Sequence, residues 1–192
     1  MEELISFLCA IAAKHGWPLS KECIAYLRKV IKKRALKKGE LLLEGGQTCK
    51  NIYFIKTGLL KCYYLIREKE VVDWFMTVGE TVVSIESFYD QIEGDEFMKA
   101  LEDSELYYIT YEELEFMYRT FVEFNVVGRA LTIKYLKMWH QEVKDIRMLS
   151  SDERYRNFLE KQAHIVNRID VQDVASHLDM TRETLSRARA KI

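Results

Sequence analysis

The sequence has 192 residues, enough for one large domain or two small ones, and 48% of them are hydrophobic, so a sizeable core is available and disorder is not indicated. Its net charge of −1 means that any contact with nucleic acid must rest on a local basic patch rather than on a global excess. Cys9, Cys23, Cys49 and Cys62 form no C-x-x-C pair, against a zinc ribbon or compact iron–sulfur motif. The apolar start has acids at its head and no small-residue cleavage site, and no run reaches the roughly 18 apolar residues that span a bilayer; a soluble cytoplasmic protein with no membrane partner is expected.

Two helices open the chain. The first runs from Glu2 to Ala13, with Leu4, Ile5, Leu8 and Ile11 at helical spacing. After Gly16 and Pro18, Ser20 caps the second, whose apolar side carries Cys23, Ile24, Leu27 and Ile31. From Ala35 the period changes. Short runs rich in aromatic and branched residues, punctuated by Gly39, Gly45, Gly46, Gly58 and Gly79, predict an antiparallel barrel or sandwich over roughly residues 35–110, with a helical insert near Ser84 to Tyr89. A short helix to about Thr120 follows, then a long one from about Phe124 to Leu149. On it Val127, Leu131, Tyr135, Met138 and Ile146 form an apolar stripe expected to pack against a two-fold mate. A further helix extends to Gln162, with its start near Ser151 to Arg154.

The most informative stretch runs from Val171 to Arg189. Val174, Leu178, Leu185 and Ala188 occupy the packing positions of a helix-turn-helix, and Ala175 is small where the two helices approach. Asp170 and Thr181 are placed to cap them, and Asp179 stands where a turn glycine is usual, a position that Asp tolerates better than most residues. The second helix then exposes Arg182, Glu183, Ser186, Arg187 and Arg189. Arginine makes bidentate contacts to guanine, glutamate accepts from cytosine, and Thr181 or Ser186 can reach phosphate. Glu183 and Arg187, four apart, are expected to hold each other.

With these residues the chain resembles the Crp/Fnr family of bacterial transcription regulators. Thr181-Arg182-Glu183-Thr184-Leu185-Ser186-Arg187 is similar to the family's recognition helix. Lys38-Gly39-Glu40, Gly45-Gly46, Ile52 to Gly58, Val78-Gly79-Glu80 and Ala100 to Leu106 follow the order of its cyclic-nucleotide-binding β-roll. The short form resembles versions common in the Bacteroidetes. The resemblance implies an α+β fold: an N-terminal antiparallel β-roll with flanking helices, a long dimerisation helix, and a small helical helix-turn-helix domain that lacks a full wing, since the sequence stops at Ile192. The implied domains are 1–120 for sensing, 121–149 for dimerisation and 150–192 for DNA binding. Gly79, Glu80 and Ser87 mark the candidate effector pocket. The arginine with which the family grips a cyclic phosphate is missing: Gly94-Asp95 stands in its place, and no arginine lies between Arg67 and Arg119.

The expected function is a dimeric regulator that binds palindromic double-stranded operators, with a roll that either senses an unidentified effector other than cyclic AMP or is kept as a rigid dimer platform; it needs no cofactor and has RNA polymerase as a further candidate partner. The rival from another class is a β-roll sensor or adaptor that does not act through DNA. An enzyme on the roll is disfavoured, because His15, His140, His164 and His177 all lie outside the strand region and leave no metal-ligand set there. His140 beside Trp139 reads as an interface or surface residue rather than a haem ligand. The acidic run Asp90, Glu93, Asp95, Glu96 reads as a solvated loop.

Overall fold

The computed structural model describes residues 1–191; Ile192 lies outside them. Helices α1 (Glu2–Lys14) and α2 (Lys21–Val30) lie against the roll and bury Leu4, Ile5, Leu8, Ala12, Cys23 and Leu27. Ser20 Oγ accepts from Cys23 N at 3.2 Å, capping α2 as its position predicts, and donates to Glu123 at 2.6 Å.

Eight strands follow: β1 (Lys32–Leu36), β2 (Leu41–Leu43), β3 (Asn51–Thr57), β4 (Leu59–Ile66), β5 (Lys69–Thr77), β6 (Thr81–Val82), β7 (Glu96–Ala100) and β8 (Ser104–Thr110). They pair antiparallel into two four-stranded sheets, ordered β1-β8-β3-β6 and β2-β7-β4-β5. The first strand begins at Lys32, three residues before the change of period at Ala35. Lys32 and Lys33 gave no apolar signal because β1 is an edge strand whose start faces solvent, and such edges are commonly guarded by lysine. The β4–β5 hairpin turns through Arg67 and Glu68, both with positive φ (51° and 65°), the geometry of a primed hairpin turn without its usual Asn-Gly. Between β6 and β7 lies α3 (Ile85–Asp90), close to the expected insert.

Helix α4 (Tyr111–Thr120) starts at a capping box of Thr110 and Glu113. Helix α5 (Phe124–Met148) spans 25 residues, and α6 (Ser151–Gln162) starts at a second capping box, Ser150 with Glu153. A 3-10 turn (Val166–Arg168), α7 (Val171–His177) and α8 (Arg182–Arg189) complete the described chain. Among the described residues no helix is long and apolar enough to cross a membrane.

Two cores hold this together. One joins α1, α2, the roll interior and the start of α5, including Leu8, Leu27, Cys62, Phe88, Met98 and Val127. The second joins Leu59, Tyr63, Val72 and Phe75 of β4 and β5 to Phe158, Ile165, Val174, Ala175, Leu178, Leu185 and Ala188. The C-terminal helices therefore share a core with the sheet rather than standing apart from it.

Candidate nucleic-acid interface and its docking on the sheet

The turn between α7 and α8 explains why the sequence folds back there. Asp179 takes φ +49°, the left-handed value reserved for glycine in most such turns, and Met180 N donates to Ala175 O at 3.0 Å. Ala175 has no exposed surface and lets the helices close. Thr181 Oγ1 accepts from Thr184 N at 3.2 Å and caps α8, whereas Asp170 occupies the N-cap position of α7 without a side-chain cap bond. Leu185 and Ala188 are buried, leaving Arg182, Glu183, Ser186, Arg187 and Arg189 exposed on one side of α8. The anticipated Glu183–Arg187 pair is not formed: an Arg187 guanidinium nitrogen instead donates to Thr184 Oγ1 at 3.2 Å. Hydrogen bonds at the helix start, from its own backbone and from Thr181, hold the Glu183 carboxyl below its ordinary range, with Arg182 and Arg187 adding to the effect. It is thus a charged acceptor beside two arginines.

Helix α7 fastens this unit to β5, the edge strand of its sheet. Ser176 Oγ accepts from Val72 N at 3.0 Å and donates to Glu70 O at 3.1 Å; His177 Nδ1 lies 2.8 Å from Asp73 O. Side chains of a helix thereby satisfy backbone groups that a bare edge would leave unpaired. Beside them Lys61, 5% exposed on β4, donates to both Asp173 oxygens at 2.9 Å and to Glu70 at 2.5 Å. Burial works to lower the Lys61 pKa, but the bonds to Glu70 and Asp173 outweigh it and leave it raised.

On the other flank His177 Nε2 lies 3.0 Å from Glu142 of α5. Burial pushes Glu142 up to about 8 and His177 down to about 4. Because His177 Nδ1 faces a carbonyl, which can only accept, it carries the ring proton. Nε2 is then the acceptor for a protonated Glu142, and the pair is neutral. None of these docking residues was assigned a role from sequence. The available signal was Lys61 itself, a lysine at the centre of the apolar run Leu59-Leu60-Lys61-Cys62-Tyr63.

In the roll, the structure does not assemble Gly79, Glu80 and Ser87 into an open anion cradle. Ser87 is 1% exposed, and its hydroxyl accepts from Cys49 N at 2.8 Å while donating to Ile92 O at 2.6 Å. Glu80 accepts from Thr77 N at 2.8 Å, and Gly79 N donates to Ile55 O at 3.0 Å. The acidic run also departs from a simple solvated loop: Asp90, Glu93 and Asp95 are exposed, but Glu96 is buried on β7 and burial pushes its pKa up to about 7.

The long helix corrects the expected stripe. Val127 is 1% exposed within its own chain, Leu131 packs on the same core, and the Tyr135 hydroxyl accepts from Thr81 N at 2.6 Å. Met138 and Ile146 line a cavity beside the sheet. The stripe thus faces the chain's own body. Outward lies a different one: Val126, Arg129, Ile133, Leu136, His140, Val143 and Arg147 alternate at three and four residues, with Ile133 43% and Leu136 58% exposed.

Residues 33–121 match the cyclic nucleotide-binding domain family. No curated protein matches the sequence. Among solved structures, FixK2 from Bradyrhizobium japonicum superposes with a TM-score of 0.74 at 18% identity, over 84% of each chain. A regulator assigned to the Crp/Fnr family from Eubacterium rectale gives 0.72 at 20% identity, over 90% of this chain and 83% of that one. The c-di-GMP-responsive global regulator CLP from Xanthomonas campestris gives 0.69 at 17% identity, over 90% and 91%. Over residues 33–121 the chain is therefore similar to cyclic nucleotide-binding domains, and its mixed α+β fold is shared with these solved regulators.

Proposed function

We propose that the protein is a cytoplasmic transcription regulator that binds double-stranded DNA as a homodimer through α8. The observation that carries this reading is the exposed face of Arg182, Glu183, Ser186, Arg187 and Arg189 on a helix whose opposite face completes a helix-turn-helix core. In this reading Arg182 and Arg187 address base edges, Glu183 contributes readout, Thr181 or Ser186 meets phosphate, and Arg189 adds charge at the rim. The functional division is 1–120 for sensing, 121–149 for dimerisation and 150–192 for DNA contact.

The two-fold seam in this proposal is the outward stripe. Its alternating three- and four-residue spacing is that of a heptad, and a helix presenting Ile133 and Leu136 to water gains by covering them with a copy of itself. Selection of duplexes from a random pool, followed by fluorescence anisotropy at several salt concentrations, tests DNA binding. A palindromic consensus and an affinity that falls steeply with salt are expected. Equal, salt-insensitive affinity for every duplex would refute it.

A further inference from the structure

A cavity of about 470 Å3 lies where the sheet, α5 and the C-terminal helices meet. Cavities of this size commonly hold a small organic ligand. Trp74 and Phe75 of β5, Met138 of α5 and Phe158 of α6 give it a mainly apolar wall, and Arg154 and Lys161 of α6 line it as well.

The charges around it are unevenly compensated. Lys161 is bound to Asp145 at 2.7 Å, and Gln141 also donates to Asp145 at 2.7 Å. Glu142 is engaged with His177, and Glu80 with Thr77 N. Arg154 is different. Its side chain is only 12% exposed, its Nε is buried with no hydrogen-bond partner among the described residues, a terminal nitrogen makes only a long 3.5 Å bond to Ser151 Oγ, and the carboxylate paired with it, Asp179, is 3.8 Å away and 79% exposed. A guanidinium withdrawn from water and so weakly paired favours an incoming anion. Lys137 at the rim has the same sign.

We propose that this cavity binds a small amphipathic carboxylate, its alkyl or aromatic body against Trp74, Met138 and Phe158 and its anionic head on Arg154. A ligand there touches β5, α5 and α6 at once, so its occupancy strengthens the docking of the helix-turn-helix on the sheet. That consequence for DNA rests on the regulator reading; the binding does not.

The test uses decanoate, with decanol and decylamine as its neutral and cationic counterparts. Trp17 and Trp139 are exposed, so a Trp17→Phe/Trp139→Phe variant leaves Trp74 as the fluorophore. Decanoate is expected to shift Trp74 emission saturably, with calorimetry on the unaltered protein giving the same affinity. Decanol should bind at least tenfold more weakly and decylamine more weakly still. Arg154→Gln should cost decanoate at least tenfold and leave decanol unchanged. Met138→Trp, which fills the cavity from α5, should abolish binding, and it decides the matter if Arg154→Gln does not fold. Equal affinity for decanoate and decanol, indifference to both substitutions, or no saturable binding would overturn the proposal. DNA affinity is read separately, so a protein that binds decanoate but no operator would refute the regulator reading and leave the cavity assignment standing.

Discussion

Gly128 is the one glycine of the long helix, and its reason is the Tyr118 ring: an added Cβ would come within 2.7 Å of Tyr118 Cε1. Tyr118 stands on α4 with its ring against Gly128 and Phe124 of α5, so the ring must shift to admit a methyl group. Gly128→Ala gains helix propensity but overpacks this contact, and we expect a net loss of about 1–2 kcal/mol, at roughly 2–4 °C of Tm per kcal/mol for a chain of this size, measurable by calorimetry. An unchanged or raised Tm would mean that the ring moves freely. On α8 the proposed role of Arg182 predicts that Arg182→Ala costs about 1–3 kcal/mol at the selected operator and relaxes preference at one base pair of each half-site. If affinity and preference both survive, that residue reads nothing. These α8 side chains were legible in the sequence because local periodicity decides which of them point outward. Ser87 was not legible, since its hydroxyl is consumed by Cys49 and Ile92, partners whose proximity only the closed roll creates.

The edge strand β5 and helix α7 meet through groups far apart in sequence, and their chemistry predicts two measurable couplings. Lys61→Ala leaves the buried Asp173 without its cation and should destabilise the docked unit by about 3–5 kcal/mol. Lys61→Met with Asp173→Leu removes both charges and should recover most of that loss in chemical unfolding; a double variant as unstable as the single would show that the ions do more than neutralise one another. Glu142 gives the second coupling. Its pKa is raised from 4.5 in the unfolded reference to about 8, so its contribution is full below pH 4.5 and is lost as pH rises to 8. His177, lowered from 6.5 to about 4, acts oppositely, its contribution being present above pH 6.5 and lost towards pH 4. Glu96, raised to about 7, falls in the same direction as Glu142, so the two are separated by substitution. The stability of the wild type minus that of Glu142→Gln should decline from pH 4.5 to 8, with a slope of up to about 1.4 kcal/mol per pH unit. A pH-independent difference would place the proton elsewhere. At this scale the sequence was a partial guide. It located α5 to within a residue, because a long proline-free apolar pattern is a local property. It misjudged which side of the helix is left free, because Val127 and Tyr135 are claimed by the roll and only the folded chain leaves the outward stripe uncovered.

For the whole molecule, dimerisation and signal each have a discriminating substitution. Leu136→Glu places a charge in the proposed seam and should give a folded monomer in sedimentation, with the operator affinity of the dimer lost. A Leu136→Glu dimer would locate the interface elsewhere. The match to a cyclic nucleotide-binding domain makes the choice of ligand the sharper issue. A cyclic phosphate is a full negative charge, and removing it from water demands charge-assisted donors, most effectively a guanidinium fork. No arginine lies between Arg67 and Arg119. The backbone amides nearby are committed: Gly79 N to Ile55 O, Glu80 N to Thr77 O and Thr81 N to the Tyr135 hydroxyl. The Ser87 hydroxyl is spent, the roll interior is filled by Cys62, Phe88 and Met98, and a buried carboxyl, Glu96, stands on β7. Binding would require breaking these bonds while supplying no guanidinium in return. We therefore expect calorimetric titration with cyclic AMP or cyclic GMP to show no saturation below about 1 mM, equivalent to a binding free energy weaker than about −4 kcal/mol. Micromolar affinity for either nucleotide, abolished by Glu80→Ala, would show that the roll opens and that its amides change partners to take the phosphate.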